Sequence, residues 1–256
     1  MYQKFDGKNV VVTGGSRGIG LAIAHQFAKR GARVVITATT ASTLETTLIL
    51  FQHEKLQAVK GLVLDLSAPL AIDSFWDKVQ ELFNGESVDI LVNNAGISDE
   101  TPLAEIESEQ IQQVFQVNLI APILLSKAFA AQFVSKPTSF GSIINISSIA
   151  SRFDDPNHLI YGVSKAGINK LTQNLAKQLG KQGIRVNAIL PGSIDTDMTR
   201  EKYSHPEIYQ ALVNRLPLSK RGTGADIAHL AVFLASREAD YITGQLIAVD
   251  GGWLLQ

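Results

Sequence analysis

Seven short runs of β-branched and aliphatic residues recur along the chain: Asn9 to Thr13, Arg33 to Thr37, Gly61 to Leu64, Asp89 to Val92, Ser142 to Ile146, Arg185 to Leu190 and Gln245 to Val249. They are apolar rather than alternating, and longer helical patterns lie between them. A strand with one wet face alternates, whereas an unbroken apolar run asks for burial on both faces, as in a parallel sheet covered by helices. The pattern predicts an α/β fold, a doubly wound seven-stranded parallel sheet with helices on both faces. Gly31 and Gly183 stand where helices should stop before the next strand, and Asp226 opens a late amphipathic helix running through Phe233 and Leu234. The chain carries no internal repeat, low-complexity tract or linker, so residues 1–256 read as one domain, a length that α/β folds often carry as one unit. Thr196 to Leu218 is irregular, and a mobile lid is expected at approximately residues 193–218.

Composition excludes several classes of function. Apolar residues make up 45% of the chain, enough for a core, and 23 basic residues against 24 acidic ones leave no surplus to hold a phosphate backbone or an anionic membrane. Nucleic acid is therefore not an expected partner. The chain has no cysteine, which rules out disulfides, thiolate catalysis and Cys-ligated metals; its five histidines form no H-x-x-x-H pair, so no metal site is expected. The polar start from Met1 to Lys8 is unlike a signal peptide, and no apolar stretch reaches the roughly 18 residues of a membrane span. These absences fit a cytoplasmic protein with no membrane partner.

Directly after the first run comes Thr13-Gly14-Gly15-Ser16-Arg17-Gly18-Ile19-Gly20, followed by a helical pattern from Leu21 to Lys29. Gly14 permits a tight turn, Gly18 lets backbone approach a pyrophosphate, Gly20 allows close helix packing, and the helix N-terminus offers amides to the anion. The alternative is a tight strand-to-helix turn without a ligand. A dinucleotide site for NAD usually ends its second strand with an acid for the ribose 2′-OH. Here the strand reads Val34-Val35-Ile36-Thr37-Ala38-Thr39-Thr40, with no carboxylate before Glu45. Arg17 could pair with a 2′-phosphate, and Thr37 and Thr39 could add hydroxyl donors, so NADP(H) is preferred over NAD(H).

Tyr161 and Lys165 are four residues apart, which on a helix puts phenol and ammonium on one face. A phenol titrates near pH ~10 and exchanges protons poorly at neutral pH unless a nearby positive charge stabilises its phenolate. Lys165 could supply that charge; a solvated helical face is the plainer reading. Ser147 and Ser148 close the run before them, and either could simply satisfy backbone groups at a strand end.

Together these motifs resemble the short-chain dehydrogenase/reductase family, with its Rossmann-like fold, from Gly7 to Trp253. Thr13 to Gly20 resembles the family's T-G-x-x-x-G-x-G turn. Asp65, followed by Leu66, resembles its adenine-contacting acid, and Asn93-Asn94-Ala95-Gly96 its N-N-A-G segment. Asn118 resembles its helix-kinking asparagine, and Ser148, Tyr161 and Lys165 its serine and Y-x-x-x-K. Pro191-Gly192-Ser193-Ile194-Asp195-Thr196 resembles the P-G-x-I-x-T strand end that holds the nicotinamide carboxamide and phosphates. Each piece has a bland reading too: Asp65 could cap a turn, Asn93 and Asn94 could bridge strand ends, and Pro191-Gly192 could end a strand.

The resemblance implies that Tyr161 is the general acid for ketone reduction and that Lys165 lowers its pKa and holds the nicotinamide ribose. It implies that Ser148 donates to the substrate oxygen and that Asn118 positions a water. Thr13 to Gly20, Pro191 to Arg200 and Tyr241 to Gly252 resemble 3-oxoacyl-[acyl-carrier-protein] reductases, which implies an acyl thioester substrate, a role in fatty acid biosynthesis and an acyl carrier protein as partner. Other ketones, or a silent NADPH-binding regulatory protein, are the alternatives. Such reductases carry arginines where this chain has Ser139 and Gln182; Lys136, Arg152, Lys177 and Lys181 are candidate replacements, while Asp154 and Asp155 would repel an acidic carrier. The stretch Ile149 to Ile160, including Phe153, Pro156, Asn157 and His158, should line the substrate pocket, and Met198 to Leu216 should cover it. The resemblance also implies a homotetramer, for which Ile168, Leu171, Leu175 and Leu179 would suit burial; core packing explains the same stripe.

Overall fold

The computed structural model describes residues 4–68, 71–133, 140–154, 156–201 and 203–255. Lys136, Ser139 and Asp155, singled out above, lie outside the described residues, as does the side chain of Met198. Seven strands form one parallel sheet in the order β3-β2-β1-β4-β5-β6-β9: β1 Asn9–Val12, β2 Arg33–Ala38, β3 Val59–Val63, β4 Ile90–Asn93, β5 Gly141–Ile146, β6 Ile184–Pro191 and β9 Leu246–Val249. The expected α/β sandwich is present. Two short strands, β7 Ile194–Asp195 and β8 Gly222–Thr223, pair in parallel outside it.

Adjacent residues of one strand serve opposite cores, which is why the runs are apolar throughout. Val10 and Val12 point into the layer with Ile23 and Phe27 of α1 (Gly18–Ala28) and Ile227 and Ala231 of α9 (Gly224–Leu234). Val11 points the other way, toward Ile72 and Phe75 of α3 (Ala71–Leu82), Leu125 and Phe129 of α5 (Ala121–Ala131) and Leu179 of α6 (Leu159–Leu179). Helix α2 (Ala41–His53) covers β3 near one sheet edge. Gly31 and Gly183 both take positive φ after α1 and α6, the helix stops that were expected.

Three expectations are corrected. Asp226 does not open α9 but stands at its third position, where its carboxylate accepts from the amide and hydroxyl of the capping Thr223 at 2.7 and 2.8 Å. The excursion expected to be irregular contains α7 (Asp197–Arg200) and α8 (Pro206–Arg215), the latter started by a proline at the one end of a helix that tolerates it. The third correction concerns apolar length. Helix α4 (Ser108–Phe115), a π turn at Gln116–Ile120 and α5 form a helical run of 24 residues that is long and apolar enough to cross a membrane by length and composition. Its apolar character has a local cause: α5 packs on α3 and β4, and the π turn packs on α6. Leu125 and Phe129 are fully buried in that layer.

Candidate active site

Strand order reverses direction between β1 and β4, so a crevice opens at their carboxyl ends, where open α/β sheets bind ligands. The glycine turn stands at its floor. Gly14 has φ +61°, and a Cβ on Gly20 would lie 2.2 Å from the Gly14 carbonyl oxygen and 2.4 Å from Asn94 Nδ2, so only glycine lets α1 begin so close to β1. Asn94 Nδ2 donates to the carbonyls of Thr13 (2.8 Å) and Gly14 (3.1 Å), and the Asn94 and Ala95 amides donate to Thr13 Oγ1 at 3.0 and 3.1 Å. From the other side Thr47 Oγ1 donates to the Ser16 carbonyl at 3.1 Å. The turn is thus braced by β4 and α2, and Thr47 is a contributor that the sequence reading did not single out.

Around the turn the anticipated cofactor residues divide. Arg17 caps α1 with an exposed side chain, and no acid stands in the first turn of α1 or of α2. Thr39 is exposed, and beside it Thr40 caps α2 by accepting from the Thr43 amide. Thr37 is different: it is buried beneath the turn, where its hydroxyl accepts from the Gly14 amide at 3.0 Å and its carbonyl from the Gly15 amide. It positions the glycine turn instead of facing a phosphate. The Asn93 side chain is also turned inward, donating to Asn145 Oδ1 at 2.8 Å, so a contact with a cofactor falls to its backbone. Asp65 accepts from the Ser67 amide and hydroxyl at 2.9 and 2.7 Å; the hydroxyl first, then the amide, hold its carboxyl below the usual range. The neighbouring Leu66 is buried, and its carbonyl accepts from Gln116 in the π turn.

Four side chains expected to carry chemistry converge behind this turn. Asn118 lies in the π turn, fully buried. Its Oδ1 accepts from the Ile97 amide at 2.9 Å, and its Nδ2 donates to the Ile97 carbonyl (2.9 Å) and Ser164 Oγ (3.0 Å). The side chain fastens the loop after β4 to α6, which leaves only the second lone pair of Oδ1 for a water. A Cβ on Gly96 would meet Asn118 Oδ1 at 3.2 Å and Lys165 Nζ at 3.3 Å, so Gly96 keeps the space between them open. Lys165 is buried and donates to the Ile146 carbonyl at 2.9 Å; burial lowers its ammonium to about 8.

Tyr161 lies one turn earlier on α6, with Lys165 Nζ 5.6 Å from its ring centroid. Burial pushes the phenol above its ordinary value, and a hydrogen bond with Ser148 opposes that rise. The expected lowering by Lys165 is thus not what the polypeptide alone provides, because the ammonium is held toward Ile146 rather than the phenol oxygen. The two serines separate cleanly. Ser147 is buried and donates to the Lys165 carbonyl at 3.1 Å, whereas Ser148 faces Tyr161 while accepting from the Ala150 amide.

The far lip is built by the end of β6 and the segment after it. A Cβ on Gly192 would come within 2.6 Å of Asp250 Cα, so the chain after Pro191 passes tightly against β9. Ile194 is buried in β7, and Thr196 caps α7. Thr196 Cγ2 lies 3.4 Å from where a Cβ of Gly18 would be, which brings this lip against the glycine turn.

In the anticipated pocket wall, Phe153 packs at a tilt on Trp253, with ring centroids 5.9 Å apart, against a small satellite core. His158 lies beside the Tyr161 ring at 5.9 Å and pairs with Glu100 at 3.1 Å, and Asp154 is exposed. Of the α6 stripe, Ile168 and Leu179 are buried, Leu175 packs against the core that holds Leu179, and Leu171 is half-buried, so core packing accounts for part of it.

Residues 14–254 match the family model described as enoyl-(acyl carrier protein) reductase. The chain is 38% identical over 249 residues to the 3-oxoacyl-[acyl-carrier-protein] reductase of Escherichia coli (strain K12), covering 97% of this chain and 98% of the relative. It is 37% identical over 248 residues to the 2-dehydro-3-deoxy-D-gluconate 5-dehydrogenase of Bacillus subtilis (strain 168), covering 97% and 95%. A crystal structure of a gluconate 5-dehydrogenase from Burkholderia cenocepacia J2315, in complex with NADP and tartrate, superposes with a TM-score of 0.90 at 29% identity, covering 99% of this chain and 97% of that one. With a glycine turn at the sheet's switch point and a serine, tyrosine and lysine gathered behind it, the chain belongs to the short-chain dehydrogenase/reductase family of oxidoreductases.

Proposed function

We propose that this protein reduces a ketone to a secondary alcohol with NADPH, Tyr161 acting as general acid. The observation that carries the reading is the juxtaposition of Ser148, Tyr161, Lys165 and Asn118 around the opening that Gly96 preserves. The residues suit the cofactor. Gly14 and Gly20 allow the tight turn and the close start of α1, Gly18 would let backbone approach a pyrophosphate, and exposed Arg17 and Thr39, with no acid in the first turn of α2, suit a 2′-phosphate. Ala95, Gly96, Pro191, Gly192, Ile194 and Thr196 would line its nicotinamide half. When bound, NADPH supplies the hydride. The Tyr161 hydroxyl gives its proton to the substrate oxygen, and Ser148 donates a hydrogen bond to the same oxygen as negative charge develops. Lys165 would hold the nicotinamide ribose hydroxyls and tie Tyr161 to a proton relay, with a water held by Asn118 next in line.

A 3-oxoacyl thioester is the first substrate to test, on the likeness to acyl-carrier-protein reductases. A polyhydroxylated ketone is the second, favoured by the His158 and Glu100 pair beside Tyr161 and by the sugar-acid dehydrogenases among the relatives. Exposed Lys177 and Lys181 would serve an acidic carrier, but Glu100 and Asp154 oppose one. Arg152 is held at the Leu246 carbonyl, at 3.0 Å. Assembly into a homotetramer would use the open edge of β9 and the outer faces of α5 and α6, where Ile123 and Val163 are exposed.

The test is NADPH oxidation with acetoacetyl thioesters, neutral diketones and sugar-derived ketones. Oxidation with one class identifies the substrate type. NADPH binding without oxidation of any of them would favour a silent binding protein.

A further inference from the structure

Among the described residues Arg221 is one of the two most heavily engaged cations outside the catalytic group, and neither the motifs nor the proposed chemistry uses it. Its side chain is 8% exposed. Nε donates to Ser193 Oγ at 3.2 Å, and Nη2 donates to the Ile194 carbonyl at 2.7 Å and to Thr199 Oγ1 at 2.6 Å. Nη1 lies 3.6 Å from Asp195, and the guanidinium stacks 4.3 Å from the Tyr203 ring centroid. In sequence Arg221 follows the helical excursion, while its partners begin it. The residue therefore joins the two ends of the lid, next to the β7–β8 pairing of Ile194 with Gly222 and the bond from the Gly222 amide to the Ser193 carbonyl.

The partners are not arbitrary points on the lid. Thr199 Oγ1, which receives Arg221, itself donates to the Ile194 carbonyl at 2.7 Å and accepts from the Thr196 amide at 3.2 Å. Thr196 in turn reaches to within 3.4 Å of the Cβ position of Gly18. A charged planar donor with several acceptors in fixed directions sets geometry more firmly than neutral bonds do. A ring face over the guanidinium restricts it further. Helix α8, by contrast, buries only Leu212 and Val213 and exposes Ile208 and Tyr209, so the firmly held part of the excursion is the arm that meets the glycine turn.

We propose that Arg221 is a positioning residue that clamps the Ser193–Thr199 arm against the glycine turn, setting affinity for the dinucleotide rather than the rate of the chemical step. This rests on the cofactor reading above. The test compares wild type with Arg221→Leu and Arg221→Lys in two measurements. The first is hydrogen exchange of the protein without cofactor. In Arg221→Leu the amides of 194–201 exchange faster while those of β1 and α6 do not change; unchanged exchange in the arm refutes the clamp. The second is NADPH binding by fluorescence titration, alongside kcat and KM. The dissociation constant rises roughly tenfold, as loss of bonds from a charged donor implies, and kcat at saturating NADPH stays within about threefold. Arg221→Lys recovers part of the affinity. A fall in kcat with unchanged affinity overturns the proposal. Should Arg221→Leu not fold, Tyr203→Ala, which removes only the stacked ring, is read in the same way with a smaller rise expected. Wild-type protein that binds no NADPH would instead sink the cofactor reading, and hydrogen exchange would still decide whether Arg221 holds the arm.

Discussion

Replacing Lys165 by methionine should destroy activity and make the protein more stable. The ammonium is buried, and burial brings its pKa from 10.5 to about 8. At about 1.4 kcal/mol for each factor of ten, keeping it charged in the folded protein at pH 7 costs about 3 kcal/mol. Methionine removes that cost and fills a similar volume, but it gives up the 2.9 Å bond from the charged ammonium to the Ile146 carbonyl, worth about 2 kcal/mol. The net gain is about 1 kcal/mol, or a rise in Tm of roughly 3 °C for a chain of this size. The sign follows from proton binding: between about pH 8 and 10.5 the unfolded chain holds the lysine proton and the folded one does not, so wild type gains stability as pH rises. The gap should therefore close as pH approaches 10, while the buried phenol of Tyr161, common to both proteins, cancels in the difference. Urea unfolding without cofactor at pH 7 and pH 10, at one protein concentration, measures it. A variant less stable than wild type at pH 7, or a gap that does not change with pH, would refute the reasoning.

Other outcomes follow from the same geometry. Ser148→Ala should lower kcat by about a hundredfold or more, because its hydroxyl faces Tyr161, whereas Ser147→Ala should cost about 1 kcal/mol of stability by stripping the Lys165 carbonyl of a donor and leave kcat nearly intact; paired kinetics and unfolding distinguish them. Gly20→Ala should destabilise by about 2 kcal/mol or more, since its Cβ meets backbone at 2.2 Å, as read by urea unfolding. Arg17→Ala should raise KM for NADPH about tenfold and leave KM for NADH little changed; equal effects would remove the 2′-phosphate contact.

Strands buried on both faces were the most legible part of the chain. For β1, β2 and β4–β6 the apolar runs coincide with the observed strands to within a residue or so, because each residue serves one of two cores. At the edge the signal weakens: β3 starts at Val59, two residues before its apolar run, with Lys60 exposed. The excursion after β6 was unreadable for a different reason. Helices α7 and α8 bury little apolar surface, and Arg221, which bonds the segment leading into α7, has its partners spread over residues 193–203, which leave no local pattern. Within the site, spacing located Tyr161, Lys165 and Ser148, but it could not show direction. Thr37 and Asn93 sit where a ligand contact is expected, yet both side chains turn inward to hold the turn and the sheet. Likewise, no periodicity distinguishes a lysine aimed at a phenol from one aimed at the Ile146 carbonyl.

The central claim is that Tyr161 delivers the proton in an NADPH-dependent ketone reduction, and Tyr161→Phe tests it most directly. NADPH affinity and NADPH oxidation should be measured for both proteins with the ketone on which wild type is most active. Phenylalanine should leave the dissociation constant for NADPH within about twofold and lower turnover by at least about a thousandfold, since the ring packing survives and only the proton donor is lost. Turnover within tenfold of wild type would contradict the assignment of Tyr161.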